Sequence, residues 1–193
     1  QNGFHCVIDL THPFAVNITG LISKVCKELD QPFIRYERAI ENISNAFLIE
    51  KFSDLEKYDL NNKSILLAVG VRHLQEAITF SRNSGANVYT RILANPESIR
   101  KTLSSSIRKT NFAVLNPSVS SNGKIEKALV KKWDIDGVIC RQSGGRNELL
   151  WHRICISMNI KLWLLKRPCE LKHINSIDNY ETLIKRLKSI NME

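Results

Sequence analysis

The sequence lacks the features by which several protein classes are usually identified. Its longest apolar stretch, around residues 65–69, is far shorter than the roughly 20 residues that cross a bilayer, so we expect no membrane partner. Neither Gly-x-Gly-x-x-Gly nor Gly-x-x-x-x-Gly-Lys-[Ser/Thr] occurs, which excludes both standard phosphate loops from these residues. A Gly-x-Ser-x-Gly sequence, which would indicate a hydrolase, is also missing.

The cysteines are odd in number and widely scattered along the chain. The five cysteines are Cys6, Cys26, Cys140, Cys155 and Cys169, and none belongs to a Cys-x-x-Cys pair. A zinc site needs clustered cysteine and histidine ligands, so we expect no bound metal. Unpaired thiols within apolar stretches are typical of reduced proteins, and we therefore predict a cytoplasmic location.

Positive charge is the strongest bias in the composition. The chain has 28 lysines and arginines against 19 acidic residues, which gives a net charge of +9. A basic protein attracts polyanions such as nucleic acids, phosphorylated cofactors or polycarboxylates. The basic residues are spread over the chain and do not alternate with aromatic residues, as a single-strand binding surface would require. We expect no nucleic-acid partner, although an α/β nucleic-acid-binding domain stays open as an alternative.

The order of apolar patterns predicts an α/β fold. A strand over residues 4–9, a helix over 14–29 and a strand over 32–36 form one βαβ unit, and from residue 64 onward strands and helices alternate regularly. This alternation predicts two doubly wound, Rossmann-like domains with parallel sheets. Further predicted strands are residues 65–69, 87–93, 112–115, 137–141 and 161–165, and further predicted helices are residues 72–82, 96–107, 120–133, 147–158 and 180–190.

The polar stretch in the middle of the chain predicts a connection between two domains. We assign residues 1–38 to the N-terminal domain, residues 39–62 to the connection, with a possible short helix near 53–57, and residues 63–193 to the C-terminal domain. The sequence begins at Gln1, almost directly in a strand and without a methionine. We therefore expect further structure upstream, and the first domain would then be incomplete at its N-terminus.

Unusual residues occupy the turns that follow the predicted strands, where parallel sheets bind ligands. These turns are residues 11–13, 69–73, 115–118 and 140–147. In the last of them, Gly144 and Gly145 let the backbone approach an anion, Ser143 adds a hydroxyl, and Arg141 and Arg146 add charge. A plain tight turn explains this stretch equally well.

The first two turns also have two interpretations. Thr11 or His12 can cap the helix that follows, and the unpaired N–H groups at a helix start can hold an anion. His12 can equally be a cap alone. Gly70 and Arg72 can bind a ligand, or they can be a turn glycine and a solvated arginine, with His73 as an exposed helix residue.

Six short motifs follow one another in the order of one known family. They are Asp-Leu-Thr-His-Pro-Phe-Ala at residues 9–15, Arg-Tyr-Glu-Arg at 35–38, Gly-Val-Arg-His-Leu at 70–74, Thr-Arg-Ile-Leu at 90–93, Arg-Gln-Ser-Gly-Gly at 141–145 and Arg-Pro at 167–168. Together they resemble the precorrin-6A reductase family of cobalamin biosynthesis. The Thr-His-Pro-Phe-Ala and Ser-Gly-Gly elements are the most specific.

The resemblance implies an oxidoreductase with a nicotinamide cofactor and a tetrapyrrole held between two α/β domains. The implied reaction is hydride transfer to one carbon–carbon double bond, from NADPH to precorrin-6A or from NADH to its cobalt form. Scattered arginines suit the many carboxylates of such a substrate. The implied roles are catalysis for Arg141 and Ser143, cofactor binding for Thr11, His12, Gly70, Arg72, Gly144 and Gly145, and substrate binding for Arg35 and Arg91.

Some residues depart from the family pattern. Arg141 stands where lysine is usual, Val71 is inserted between Gly70 and Arg72, Asn116 replaces a glycine, and Ala39 replaces a proline. These departures leave a second hypothesis open, in which the chain is a diverged, non-catalytic protein that binds a tetrapyrrole or a nucleotide.

Overall fold

The computed structural model describes residues 4–40, 45–116, 122–169, 174 and 176–190. The strands, in chain order, are β1 (Val7–Asp9), β2 (Phe33–Tyr36), β3 (Phe47–Ile49), β4 (Ser64–Ala68), β5 (Asn87–Leu93), β6 (Phe112–Leu115), β7 (Gly137–Arg141), β8 (Lys161–Leu165) and β9 (Ser176–Ile177). The helices are α1 (Val16–Glu28), α2 (Leu74–Asn83), α3 (Pro96–Leu103), α4 (Lys124–Lys132), α5 (Arg146–Met158) and α6 (Tyr180–Ile190), with 3₁₀ helices at Phe52–Lys57 and Lys109–Asn111.

Two parallel sheets confirm the predicted α/β class. One sheet has the strand order β1-β2-β9, the other β3-β8-β7-β4-β5-β6, and every pairing is parallel. Residue contacts separate the chain into two compact units. Unit 1 contains residues 1–41, 143–145 and 167–193, and unit 2 contains residues 42–142 and 146–166.

Most predicted elements are present with small differences at their ends. The strands predicted at 87–93, 112–115, 137–141 and 161–165 and the helix at 180–190 have the observed bounds. The helix predicted at 120–133 begins at Lys124, with residues 120 and 121 outside the described part, and the helix predicted at 96–107 already ends at Leu103. The periodic spacing of apolar residues therefore predicted the positions of the longer strands and helices well.

The sequence analysis missed strands β3 and β9. Strand β3 lies within the stretch interpreted as a connection, yet it pairs with β8 at the edge of the six-stranded sheet. Strand β9 pairs with β2 in the small sheet. With three and two residues, these strands are too short to show an alternating pattern. The domain boundaries at residues 38 and 62 stay a prediction, while the contacts group β3 with unit 2 and residues 167–193 with unit 1.

Unit 1 contains the predicted βαβ motif, in which β1, α1 and β2 follow one another. The apolar face of α1, however, does not pack inward. Ile18 and Leu21 are 46% and 60% exposed, and the buried residues of this helix are Thr19 and Cys26. The sequence correctly predicted that α1 has one apolar face, but in the described structure this face lies at the surface.

Unit 2 has an extensive apolar core on the sheet face that α4 and α5 cover. Leu66 on β4, Val138 on β7 and Leu162 on β8 pack there against Trp151 and Ile154 of α5. Burial of each such side chain contributes about 1.5–3 kcal/mol. Strands buried on both faces explain the continuous apolar runs in this part of the sequence.

None of the helices in the described residues combines the length and the hydropathy needed to span a bilayer.

Candidate functional site

The strand order of unit 2 creates a topological switch point between β4 and β7. From β4 the chain proceeds to β5 and β6 on one side, and it then returns to place β7 and β8 on the other side. Ala68 pairs with Cys140 near the ends of β4 and β7. In parallel sheets, ligands bind beyond the carboxyl ends of the strands at such a point. The turns after β4 and β7 are therefore the first candidate for a binding site.

Gly70, Arg72 and Arg141 come together at this switch point. Gly70 has a φ of +80°, and a Cβ atom added to it would lie 3.5 Å from Nη2 of Arg141. Burial lowers the pKa of Arg141, and the positive charge of Arg72 lowers that pKa further. The Arg141 guanidinium lies beside the exposed Gly70, and the exposed Arg72 follows in the same turn. This turn therefore carries positive charge that suits an anion.

His73 follows these residues and is half-buried rather than exposed, contrary to the sequence-based interpretation. Its ring centroid lies 6.3 Å from that of Phe52. Burial lowers the pKa of His73, the charges of Arg141 and Arg72 lower it further, and Glu76 opposes them. Its surroundings therefore favour the neutral imidazole over the charged form.

Arg91 lies near the carboxyl end of β5. Its Cζ lies 5.9 Å from the ring centroid of Trp151, and its Nη2 donates a hydrogen bond of 3.4 Å to Oδ1 of Asn147. Burial lowers the pKa of Arg91, while the charge of Glu126 raises it. The guanidinium thus packs on α5 at the same edge of the sheet as Gly70 and Arg141.

In unit 1, Arg35 is the centre of a buried ionic network. The Arg35 side chain is 3% exposed, and its Nη1 and Nη2 lie 2.8 Å from Oδ2 of Asp9 and Oε1 of Glu37. Nη1 also donates to Oγ1 of Thr11 at 3.0 Å. Burial alone would raise the pKa of Asp9, but hydrogen bonds from Thr19 and Thr11 and the charge of Arg35 lower it. Most donors of Arg35 are therefore engaged within the protein.

The turn at Thr11 and His12 is ordered by its own side chains. Nδ1 of His12 accepts a hydrogen bond from the main-chain N–H of Phe14 at 3.2 Å, and Oδ1 of Asp9 accepts one from Thr11 at 2.9 Å. Helix α1 begins later, and its N-cap residue, Ala15, has no side-chain cap. The prediction that Thr11 or His12 caps this helix is wrong, because both lie in the preceding turn.

The Ser-Gly-Gly turn packs closely within unit 1. A Cβ atom on Gly144, whose φ is +62°, would collide with the carbonyl oxygen of Ala39 and would lie 2.8 Å from Nη2 of Arg167. A Cβ atom on Gly145 would collide with Nη1 of Arg38. Ser143 is buried. The positive φ and the Ala39 carbonyl thus explain glycine at position 144, whereas at position 145 only the end of the exposed Arg38 side chain would have to move.

A pocket of unit 1 adjoins the network. Its lining residues are Pro13, Val16, Thr19, Arg35, Glu37, Pro168, Cys169, Ile174 and Ser176. Arg35 is the only sequence-predicted site residue among them. Asp9 and Glu37, which hold Arg35, were missed, although their position at the ends of two neighbouring predicted strands was a usable signal.

Among the described residues, no group of three or more histidine, cysteine, aspartate and glutamate side chains is arranged to hold a metal ion. All five cysteines lie in that part of the chain and are free thiols.

Known proteins resemble this chain over most of its length. The sequence model described as Precorrin-6x reductase CbiJ/CobK matches residues 1–188. The cobalt-precorrin-6A reductase of Synechocystis sp. is 29% identical over 168 residues, which cover 84% of this chain and 63% of that protein. The cobalt-precorrin-6A reductase of Methanococcus maripaludis is 28% identical, with 95% and 72% covered. The chain thus spans less than two-thirds of the length of the first of these relatives.

A solved structure, CobK precorrin-6A reductase, has a similar fold. Its TM-score is 0.77 at 17% identity, with 97% of this chain and 72% of that chain covered. The family resemblance predicted from the motifs is confirmed, since the match to the family extends over almost the entire sequence: the chain belongs to the precorrin-6x reductase (CbiJ/CobK) family.

Proposed function

We propose that this protein uses a nicotinamide cofactor to reduce one carbon–carbon double bond of precorrin-6A or cobalt-precorrin-6A. Two relatives that match it are named cobalt-precorrin-6A reductase, and the precorrin-6A reductase of Mycobacterium tuberculosis is 25% identical over 177 residues. The observation that carries the proposal is the approach of Arg141 to the main chain of Gly70 at the switch point of unit 2, with the exposed Arg72 in the same turn as Gly70.

The charge of this edge suits a polycarboxylate substrate. A tetrapyrrole of this class carries several acetate and propionate groups, and a guanidinium binds a carboxylate through two parallel hydrogen bonds. We propose that Arg91 and Arg141 bind substrate carboxylates. We also propose that Arg35 of unit 1 binds a substrate carboxylate. Asp9 and Glu37 already accept hydrogen bonds from most of its N–H groups, so few donors are left for the substrate.

The turn after β4 fits a phosphorylated cofactor. Gly70 is exposed, and a Cβ atom on it would be in ordinary contact with Nη2 of Arg141 at 3.5 Å. A ligand that approaches this main chain would therefore also meet the Arg141 guanidinium. We propose that Gly70 and Arg72 hold the phosphates of NADPH or NADH, which supplies the hydride when bound. We propose the role of cofactor binding for four further residues, which lie in two turns of unit 1: Thr11, His12, Gly144 and Gly145.

After hydride transfer the tetrapyrrole must also take up a proton, and Arg141 cannot donate it. A guanidinium does not release its proton near neutral pH, so we propose that Arg141 stabilises negative charge on the reacting tetrapyrrole. Ser143 carries a hydroxyl and is proposed to act beside it. Because Ser143 is buried and Arg141 is no proton donor, a non-catalytic tetrapyrrole-binding protein is the second candidate function.

The test is an anaerobic assay with precorrin-6A or cobalt-precorrin-6A and each reduced nicotinamide. We expect the nicotinamide absorbance to fall with turnover, and Arg72→Ala to weaken cofactor binding about tenfold, the loss of ~1.4 kcal/mol. The matched control is Arg100→Ala, an exposed arginine on α3, which should leave binding unchanged. Tetrapyrrole binding without turnover would favour the second candidate, and neither binding nor turnover would overturn both.

We also propose a cytoplasmic location, which the five free thiols support. We propose no nucleic-acid partner. A gel-shift titration with generic DNA and RNA tests this, because salt-sensitive binding would contradict it.

A further inference from the structure

Glu37 holds two arginines of unit 1 at the same time. Its Oε1 accepts hydrogen bonds from Nε and Nη2 of Arg35 at 3.2 and 2.8 Å, and its Oε2 accepts one from Nη1 of Arg167 at 3.2 Å. The exposed fractions of the three side chains are only 10% for Glu37, 3% for Arg35 and 8% for Arg167. The main-chain N–H of Glu37 donates to the carbonyl oxygen of Ile177 on β9 at 2.8 Å. Both the main chain and the carboxylate of Glu37 are therefore fixed in place.

One oxygen of Glu37 is connected through Arg35 to the turn that follows β1. Nη1 of Arg35 donates to Oγ1 of Thr11 at 3.0 Å and lies 2.8 Å from Oδ2 of Asp9. The other oxygen of Asp9, Oδ1, accepts the main-chain N–H of Thr11 at 2.9 Å. The side chain and the main chain of Thr11 are thus both held by groups that Arg35 binds or that bind Arg35.

The other oxygen of Glu37 is connected through Arg167 to the Ser-Gly-Gly turn. Nη1 of Arg167 donates to the carbonyl oxygen of Arg38 at 2.8 Å. Its Nη2 lies close to Gly144, because a Cβ atom added there would be only 2.8 Å away. The same Cβ atom would lie 3.2 Å from Cβ of Arg38. The position of the Arg167 guanidinium therefore defines the space that the turn at Gly144 occupies.

This chain of contacts has a geometric rather than an energetic advantage. Buried ion pairs add little stability compared with apolar side chains of similar size, because the cost of desolvation offsets the attraction. Hydrogen bonds between arginine and carboxylate are directional, however, and a bidentate contact such as that of Arg35 with Glu37 fixes the orientation of both groups. A binding site needs supporting residues of this kind, since its own residues must be held to a fraction of an ångström.

We propose that Glu37 is a positioning residue that couples the turn at Thr11 to the turn at Gly144 and so orders the cofactor-binding residues of both. The cofactor-binding part rests on the proposed function. The coupling of the two turns does not, because it is a property of the folded chain alone.

The first experiment measures hydrogen exchange in the full chain without a ligand. Glu37→Gln keeps the size of the side chain but removes the charge that both arginines bind. We expect exchange about tenfold faster in the peptides that cover residues 10–15 and 143–145, whereas β4 of unit 2 should exchange as in the wild type. The matched control is Glu28→Gln on α1, which removes a carboxylate that is 62% exposed and should leave both turns unchanged. Faster exchange in only one turn, or in neither, would overturn the coupling.

Glu37→Asp is the second variant, and it decides the question if Glu37→Gln also accelerates exchange in β4 through a general loss of stability. It keeps the negative charge, but its side chain is one methylene too short to hold Arg35 and Arg167 at their present positions. We expect faster exchange in at least one of the two turns and unchanged exchange in β4. Wild-type exchange in both turns of Glu37→Asp would overturn the proposal.

The second experiment titrates the full chain with NADPH and with NADH by calorimetry. Loss of a negative charge alone would strengthen the binding of an anionic cofactor, so a decrease in affinity separates a positioning role from a simple charge effect. We expect Glu37→Gln to weaken binding about tenfold, or ~1.4 kcal/mol, and Glu28→Gln to leave it equal or slightly stronger. In turnover with precorrin-6A, Glu37→Gln should raise KM for the nicotinamide and leave kcat nearly unchanged.

The two experiments distinguish failure of this inference from failure of the proposed function. Equal or tighter nicotinamide binding by Glu37→Gln would overturn the role of Glu37 in cofactor binding. A wild-type chain that binds neither nicotinamide, yet shows coupled exchange in the two turns, would overturn the proposed function and with it the cofactor-binding part. The coupling itself would then stand on the exchange data.

Discussion

Helices α1 and α5 have the same length, 13 residues, yet α5 buries large apolar side chains whereas α1 does not. In unit 2, α5 turns Trp151 and Ile154 into an apolar core. In unit 1, α1 leaves Ile18 and Leu21 largely exposed and buries Thr19, whose hydroxyl donates a 2.6 Å hydrogen bond to Asp9. The contacts of α5 with the sheet of unit 2 are thus mainly apolar, while α1 packs in unit 1 against the ionic network through Asp9.

This difference determines how each unit should respond to substitution. A close-packed apolar core loses stability in proportion to the atoms removed. A buried ionic network responds instead to the loss of one partner, because the charges that remain are left without compensation. Four sets of variants follow, from the largest expected effect to the smallest.

Arg35→Met should be the most damaging change in unit 1. It leaves the carboxylates of Asp9 and Glu37 buried without their partner, and we expect a loss of about 3–5 kcal/mol in the free energy of unfolding, measured by urea denaturation. The control is Arg82→Met, which removes an exposed arginine that binds Ser106. A loss of similar size in both variants would contradict the view that unit 1 depends on its ionic network.

The same isoleucine-to-alanine substitution, made once on α5 and once on α1, tests how much apolar packing each helix contributes to stability. Ile154→Ala on α5 should cost about 2–5 kcal/mol, because this side chain is fully buried. Ile18→Ala on α1 should cost less than about 1 kcal/mol, since almost half of the side chain is exposed. The same denaturation measurement applies to both, and equal losses would show that α1 packs against apolar surface in solution.

Glycine-to-alanine changes separate close packing from backbone strain. Gly144→Ala combines a positive φ with a collision against the Ala39 carbonyl and should cost about 2–3 kcal/mol. Gly70→Ala has the positive φ but only ordinary contact with Arg141, so about 1 kcal/mol is expected. Thermal unfolding of both variants measures the difference, and the reverse order of losses would contradict the packing at Ala39.

Acid should affect the two units in different pH ranges. The fold lowers the pKa of Asp9, so the stability it contributes is present above about pH 4, the unfolded value, and is lost as pH falls through the folded value. The fold also lowers the pKa of His73. Its contribution is present above about pH 6.5 and is lost as pH falls below that value.

Urea denaturation at a series of pH values resolves the two contributions. His73→Gln should flatten the decline of stability below about pH 6.5 and leave the more acidic range unchanged, whereas Asp9→Asn should do the opposite. A His73→Gln profile that superimposes on that of the wild type would show that the imidazole is not held neutral by burial and the neighbouring arginines.

The fold could be predicted where periodicity was long enough to be recognised. Strand β5 and helix α6 have the bounds that the sequence predicted. Strands β3 and β9 could not be predicted, because their pairing depends on partners distant in the chain. The period of α1 was also correct, but periodicity identifies an apolar face without saying what covers it.

The sequence likewise predicted some residues of the candidate site and missed others. The rule that ligands bind beyond strand ends singled out Gly70, Arg72 and Arg141, and the structure places Arg141 beside the main chain of Gly70. The roles of these residues stay a prediction. Asp9 and Glu37 were missed as partners of Arg35. Their positions at the ends of two neighbouring predicted strands were a usable signal, but no sequence pattern shows which arginine such carboxylates will bind. Buried charge is therefore the part of this site that sequence patterns reveal least.

The pairing of β2 with β9 affects the order in which the chain folds during synthesis. Arg167, which precedes β9, forms its ion pair with Glu37 across 130 residues of sequence. The ribosome releases all of unit 2, whose last residue is 166, before the third strand of unit 1 becomes available. We therefore expect unit 2 to fold first, and we expect the ion pair of Arg167 with Glu37 and the pairing of β9 with β2 to form later.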